Sequence, residues 1–444
     1  MEKLITAKFG GSSLASAEQF EKVKAIIEAD SDRRFIVPSA PGKRHSKDYK
    51  ITDLLYICNA HREHGIPFND VFKIISERYL EIVEQLSKKH SQMATLDIIS
   101  YLKEIKSKIY EGASADYAAS RGEYLNGIIL STLLGYEFID ATEIICFDLY
   151  GNFDSNSTQW KISEKLLSDT RAVIPGFYGA DPSGQIKTFT RGGSDVTGAL
   201  IAKGVQASLY ENWTDVSGFL MADPRVVENP NPIETITYKE LRELSYMGAT
   251  VLHEEAVFPV REAGIPILIK NTNAPKDVGT LIIDDNSPIS RLGTITGIAG
   301  RKNFTVISIE KTLLNMEIGF NRKLLTILEM NGVAFENMPS GIDSVSLVVE
   351  DSQIKNKLNG IIDEINRQCK PDAIEIYPNM ALIATVGRGM SKSTGVSAKI
   401  FKALADSHVN IRMINQGSSE INIIVGVETN DFEKAITAIY NAFV

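Results

Sequence analysis

Four short segments combine bare glycine backbone with a charged or hydroxyl side chain, a combination suited to holding anions. Lys8-Phe9-Gly10-Gly11-Ser12-Ser13 follows an apolar run at 4–9. Two glycines after a strand let backbone N–H groups approach an anion closely, and a following helix adds the positive end of its dipole. Lys8 reaches a phosphate as a point charge. Thr190-Arg191-Gly192-Gly193-Ser194-Asp195-Val196-Thr197 heads a helical run at 198–203. There Arg191 offers a two-pronged fork for a carboxylate, and Asp195 can organise a lysine. Trp213-Thr214-Asp215-Val216-Ser217-Gly218, followed by Ala222-Asp223-Pro224-Arg225, could clasp a nucleotide's ribose and base edge. Ser120-Arg121-Gly122-Glu123 opens another helix. Each segment has a plain alternative: a tight turn for the first, helix caps for Ser194 and Asp195, two ordinary turns for the third, a capping arrangement for the last. None is a Walker A loop, since G-x-x-x-x-G-K-[ST] is absent. Gly387-Arg388-Gly389-Met390-Ser391-Lys392-Ser393-Thr394 lacks the second glycine where that pattern needs it and reads as a turn.

The elements that must position these loops alternate. Strand candidates at 4–9, 35–37, 172–174, 207–210 and 265–269 are separated by helical patterns. The clearest pattern is the apolar face 68, 71, 72, 75, 79, 82, 83 and 86. Strand, glycine turn and helix in repetition predict an α/β domain with a mainly parallel central sheet flanked by helices. Ligands of such sheets gather beyond the carboxyl ends of the strands, where the glycine loops fall.

Composition sets outer limits. A chain of 444 residues predicts two or three domains. A net charge of −9 argues against nucleic acid and anionic membrane as partners. Cys58, Cys146 and Cys369 lie too far apart for a disulfide framework or a zinc site, so no metal ligands and a reducing compartment are expected. The first residues break into a Gly/Ser loop too early for a signal peptide, and no run approaches the roughly 18 apolar residues of a membrane span, so a cytoplasmic location is expected.

Beyond about residue 293 an internal repeat takes over. Shifting 304–350 by 76 residues brings Gly319 onto Gly395 and Gly341 onto Gly417. Leu324, Leu328, Val333 and Phe335 then meet Ile400, Leu404, Val409 and Ile411. After a two-residue slip, Ile354, Leu358, Ile361 and Ile365 match Phe432, Ile436, Ile439 and Phe443. Each copy reads strand, glycine turn, helix, two strands, helix. The first continues into a strand at 373–377 that the second lacks, so a fourth strand must be shared or replaced.

The loops in this order, with Pro175-Gly176-Phe177-Tyr178-Gly179 between them, resemble the aspartokinases of the amino-acid kinase superfamily. The matching segments are 8–13, 37–40, 120–123, 175–179, 191–195, 213–218, 223–225 and 248–253. Each is weak alone, whereas the combination is highly specific. The duplicated tail resembles tandem ACT modules, which are α+β and ferredoxin-like. The implied organisation is a kinase domain at 1–295, one ACT module at 296–378 and another at 379–444, with strand exchange between the last two. The likeness is to the monofunctional type, because no homoserine dehydrogenase segment follows the repeat, and the stretch 316–340 resembles lysine-sensitive enzymes.

That resemblance implies a reaction, ATP plus L-aspartate giving ADP and 4-phospho-L-aspartate with Mg²⁺, the first step toward lysine, threonine and methionine. It implies Lys8 and Asp195 as catalytic groups. Lys8, Gly10, Gly11, Ser12, Thr214, Asp215, Asp223 and Arg225 would bind ATP, and Ser39, Thr52, Glu123, Phe177, Arg191 and Ser194 would bind aspartate. Arg191 would take a substrate carboxylate and Glu123 its ammonium. Gly319, Phe320, Asn321, Glu336, Ser340 and Asp343 would surround an effector at the seam between paired modules of a homodimer or homotetramer. Lysine is the expected effector and threonine the alternative. Two features depart from the family. Thr250 stands where Gly-Ala-Lys-Val-Leu-His has its lysine, so either Arg225 or Lys270 substitutes or nucleotide binding is weaker, and the basic stretch 43–50 is long enough to be a mobile lid. Competing readings are a superfamily kinase with another acceptor (glutamate, acetylglutamate or a nucleotide) and a catalytically dead amino-acid sensor.

Overall fold

The computed structural model describes residues 3–167, 169–190, 192–249, 252, 254–287 and 293–444. They form two compact units. One comprises Met1–Phe219, Glu234–Tyr238 and Val251–Pro288; the other comprises Leu220–Ile233, Lys239–Thr250 and Ile289–Val444. The division is therefore interleaved rather than a single cut near 295.

The first unit is built on β1 (Ile5–Phe9), β2 (Arg33–Pro38), β3 (Glu137–Phe138), β4 (Ala172–Val173), a separate antiparallel hairpin of β5 (Tyr178–Ala180) and β6 (Ile186–Thr188), then β7 (Leu209–Thr214), β8 (Thr235–Thr237), β9 (Ile267–Asn271) and β10 (Thr280–Ile283). Eight of them form one sheet in the order β8-β10-β9-β7-β1-β2-β4-β3. All its pairings are parallel except β9 with β10. Every residue of β1 is buried, as a strand covered on both faces requires. Its register sets Lys8 beside Val37 on one side and Asn212 on the other.

Helices α1 (Ala17–Glu28), α2 (Ile51–Glu63), α3 (Asn69–Ser87), α4 (Ile98–Tyr110), α5 (Ala115–Leu134), α6 (Ser155–Lys165) and α7 (Gly193–Gly204) flank this sheet. The face predicted from 68 to 86 is α3, which buries Phe72, Ile75, Tyr79, Ile82, Val83 and Leu86. α5 starts at the Ser114 cap and stops at Gly135, where the left-handed φ of 69° suits a residue without Cβ. Small residues let it approach the sheet: a Cβ on Gly122 would lie 2.6 Å from that of Ala40.

The second unit contains β11 (Gly297–Glu310), β12 (Ser344–Glu350), β13 (Ala373–Val386), β14 (Met413–Asn415) and β15 (Asn422–Glu428) in one antiparallel sheet ordered β12-β11-β13-β15-β14. The repeat has a physical signature at the predicted spacing. Gly319 and Gly395, with φ of 83° and 84°, begin the helices Phe320–Met330 and Val396–Asp406. Asn303 and Asn379, also 76 apart, take positive φ at the middle of β11 and β13. There the pairing of these two long strands changes register.

The missing fourth strand follows from that pairing. The second half of β11 pairs with 373–377 inside the first copy, whereas its first half, 297–302, pairs with 381–386 and completes the second copy. Leu324, Leu328 and Val333 lie in one apolar core and Ile400, Leu404 and Val409 in the other. Phe335 departs from its match, being 41% exposed.

Candidate active site

The carboxyl ends of β1 and β7 bring the first two glycine loops together. Lys8 Nζ lies 2.6 Å from Asp195 Oδ1, and both side chains are largely buried. Asn212, next to Lys8 in the sheet, donates to the same oxygen at 2.8 Å. Tyr210 OH donates to the Asp195 carbonyl at 3.3 Å. Asp195 is thus anchored from below by β7 while it holds the ammonium group of Lys8 over the turn. That turn is a short 3₁₀ segment, Gly11–Leu14. The Gly10 amide donates to the Trp213 carbonyl at 2.9 Å, which ties it to the Trp213–Thr214 segment. Gly11 faces the next loop closely, since a Cβ there would lie 2.9 Å from the Ala40 carbonyl oxygen. Ser12 is half-buried beside it.

On the other side of β1, the Ser39 amide donates to the Phe9 carbonyl at 3.0 Å, and the Ser39 carbonyl accepts from Asn126 at 2.7 Å. Asn126 sits one turn after Glu123 on α5. Glu123 is 5% exposed, and its Oε2 has no hydrogen-bond partner. Burial pushes its carboxyl up to about 8, against the opposing pull of the Ala40 and Glu123 amides and the charges of Arg121 and Lys8. A buried carboxyl with one oxygen left without a hydrogen bond is suited to receive a cationic group. Thr52 lies in the first turn of α2, and Tyr56, one turn on, is within electrostatic reach of Glu123.

Phe177 has φ 82°, an uncommon conformation for a side chain of that size. Its amide donates to Thr197 Oγ1 at 3.0 Å, and its carbonyl accepts from Phe189 at 3.0 Å. Such strain is characteristic of ligand sites. Ser194 is buried in the first turn of α7 against Gly176, where a Cβ would lie 2.7 Å from Ser194 Cα.

Other expected groups are placed differently. Thr214 Oγ1 donates to the exposed Asp215 at 3.1 Å. Asp223 and Arg225 belong to the second unit, where they pair with each other at 2.6 Å. Arg191, Thr250 and His253 lie outside the described residues. Lys270, considered as a substitute cation, donates to the Asp277 carbonyl and lies over the Trp213 ring; desolvation lowers its pKa. The basic stretch is not a free lid. Asp48 at its centre is buried and bound by Arg78 at 2.6 Å and by Arg44, whose charges and hydrogen bonds keep it ionised against the cost of burial.

In the second unit Glu336 is also already engaged. It accepts from Tyr246 OH at 2.6 Å and lies 3.6 Å from Arg301. Phe320 is a core residue, and Asp343 Oδ1 accepts from the Leu313 amide at 2.8 Å. Ser340 bridges to Val345, and Asn321 Oδ1 is buried without a partner. Sequence reasoning missed Asn212 and the setting of Arg121, which is packed among the rings of Tyr117, Tyr124 and Tyr178 at 4.7, 4.4 and 5.1 Å. Glu211-Asn212 inside an otherwise apolar strand was the available signal for the first.

Residues 3–271 match the amino acid kinase family, and residues 383–443 match an ACT domain. Aspartokinase 3 of Bacillus subtilis is 37% identical over 450 residues, which cover 98% of each chain. The crystal structure of Clostridium acetobutylicum aspartate kinase, described as an allosteric enzyme, is 65% identical with a TM-score of 0.93, covering 99% of this chain and 100% of that one. Lysine-sensitive aspartokinase 3 of Escherichia coli is 26% identical, covering 99% of both chains.

Proposed function

The chain belongs to the aspartokinases of the amino acid kinase family, a phosphotransferase with an ACT domain, and from that premise we propose how its own residues act. It transfers the γ-phosphoryl group of ATP to the side-chain carboxylate of L-aspartate, giving ADP and 4-phospho-L-aspartate. The observation that carries this reading is the Lys8–Asp195–Asn212 cluster beside a buried Glu123 whose Oε2 has no hydrogen-bond partner. The acceptor carboxylate is already nucleophilic, so no strong base is needed; the site must align two anions and neutralise developing charge. Lys8 places its ammonium on the phosphoryl oxygens, and Asp195 fixes its position. Gly11 and Ser12 donate to the phosphates, the Gly10 amide being held by the Trp213 carbonyl, and Thr214 and Asp215 hold the rest of the nucleotide. Glu123 takes the substrate ammonium and Arg191 a carboxylate. Ser39, Thr52, Phe177 and Ser194 complete the pocket.

Magnesium would arrive with ATP. A cation that comes with the nucleotide is held mainly by phosphate oxygens and water. It supplies charge neutralisation at the phosphates.

Regulation is by an amino acid at the ACT modules, most simply lysine, as the name of the Escherichia coli relative says of that enzyme, with threonine the alternative. The first module exposes Leu313, Met316, Ile318 and Ile342, an apolar edge suited to a second copy and hence to a homodimer or homotetramer. The effector lies near Gly319, Phe320, Asn321, Ser340 and Asp343, and its ammonium competes with Arg301 for Glu336. Inhibition requires that lysine bind a less active state more tightly. The enzyme acts in the cytoplasm, at the entry to lysine, threonine and methionine synthesis. Among the described residues no helix is long and apolar enough to cross a membrane.

Purified protein with ATP-Mg, L-aspartate and hydroxylamine should yield aspartyl hydroxamate, and lysine should suppress it. Absence of product from folded protein would refute the kinase reading. Product unaffected by lysine would remove only the effector.

A further inference from the structure

Helix α3 contributes nothing to the glycine loops themselves, yet two of its consecutive residues grip both halves of the site. Arg78 is buried, its side chain 2% exposed. It donates through Nη2 to Asp48 at 2.6 Å, and through Nη1 to the Gly42 carbonyl at 3.2 Å and the Ala15 carbonyl at 3.5 Å. Ala15 ends the 3₁₀ turn that begins at Gly11, and the Gly42 amide donates to the Gly11 carbonyl at 2.8 Å. The two segments are in near contact, because a Cβ on Gly42 would lie 2.6 Å from the Gly11 carbonyl carbon. One guanidinium therefore ties the far end of the phosphate turn to the loop laid against its start. Tyr79, the next residue, is fully buried and donates its OH to the Gly122 carbonyl at 2.9 Å. That carbonyl belongs to the peptide joining Gly122 to Glu123.

Successive helical residues point about 100° apart, so one rigid helix can reach in two directions at once. We propose that α3 is a spacer between the two substrates, with Arg78 positioning the nucleotide turn and Tyr79 positioning the carboxylate that receives the amino-acid ammonium. This rests on the aspartokinase reading. It adds three positioning residues, Asp48, Arg78 and Tyr79, outside the expected site. Distance between the bound phosphoryl donor and acceptor governs the rate of an in-line transfer, so the spacing matters to catalysis as well as to stability.

The test uses the full chain carrying Tyr79→Phe or Asp48→Asn. KM values for both substrates, calorimetric affinities for ADP and aspartate, and melting temperature are measured. Tyr79→Phe removes one hydrogen bond and should weaken aspartate about fivefold while leaving nucleotide constants within about twofold. Asp48→Asn should do the reverse, weakening nucleotide about tenfold with aspartate little changed. Equal shifts in both substrates, no shift in either, or failure of both variants to fold would overturn the spacer in favour of plain structural support. Wild-type protein that binds both ligands without turnover would refute the kinase reading, and the binding constants would still decide the spacer.

Discussion

Aspartate recognition should depend on pH through Glu123, and the dependence has a definite sign. In the ligand-free protein burial holds this carboxyl up at about 8. The groups facing it are Lys8, Arg121, the Tyr79 and Tyr56 hydroxyls and the Ala40 amide. Only the carboxylate form can pair with an ammonium, so apparent affinity scales with the ionised fraction. That fraction is about one in eleven at pH 7 and about ten in eleven at pH 9, so kcat/KM for aspartate should climb roughly tenfold between them. Glu123→Gln should lower kcat/KM at pH 9 by about 30-fold or more, the loss expected on removing one partner of a buried charge pair, and should flatten the profile. The same shift bears on stability. A carboxyl whose folded value lies above its unfolded one favours the folded state at acid pH, and that contribution is lost as pH rises through about 8. Saturating aspartate should therefore raise the melting temperature more at pH 9 than at pH 7. Initial rates from pH 6.5 to 9.5 with ATP saturating are the assay, at about half-unit steps. A flat or falling wild-type profile, or a Gln variant that keeps the slope, would refute the assignment of Glu123 to the ammonium.

Two further substitutions test the rest of the site. Lys8→Met should cut kcat by about 10³ while aspartate binding, read by calorimetry, changes little, because the ammonium acts on the phosphoryl group; a variant with near wild-type kcat would displace Lys8 from the mechanism. Gly122→Ala pushes a Cβ against Ala40 and should cost about 1–3 kcal/mol in urea unfolding, unless α5 can separate from the loop after β2.

The site was legible where chemistry and local structure coincide. Lys8-Phe9-Gly10-Gly11 announces a strand end, a turn and a cation in consecutive residues, and the structure places Lys8 against Asp195, nearly two hundred residues away. What brings them together is the register of β1 with β7, and no local pattern encodes which strands pair. Asn212 and Arg78 stayed hidden for the same reason: each is polar within an apolar element, and only the fold shows what it faces. The basic stretch 43–50 misled because charge reads as solvent exposure. Lys43, Lys47 and Lys50 do face solvent, but Asp48 turns inward to a buried guanidinium. In the tail, apolar spacing recovered the repeat, and the strand that completes the second copy lies before the first, where a search running forward along the chain does not look.

That exchange has a mechanical consequence within the second unit. Two separately folded modules could rotate against each other about a linker, whereas here β11 and β13 each run through both copies, hydrogen-bonded along almost their whole length. The only relief is at Asn303 and Asn379, where both strands take a positive φ and the ladder skips. A ligand that shifts the first copy therefore cannot leave the second where it was: the displacement passes along two strands or is absorbed at those two asparagines. Sheet ladders resist bending within their plane more than twisting, so the expected motion is a change of twist centred on the paired breaks. β11 also opens the second copy at Gly297, so the segment that completes it is the first the chain reaches after residues 251–288 of the kinase unit.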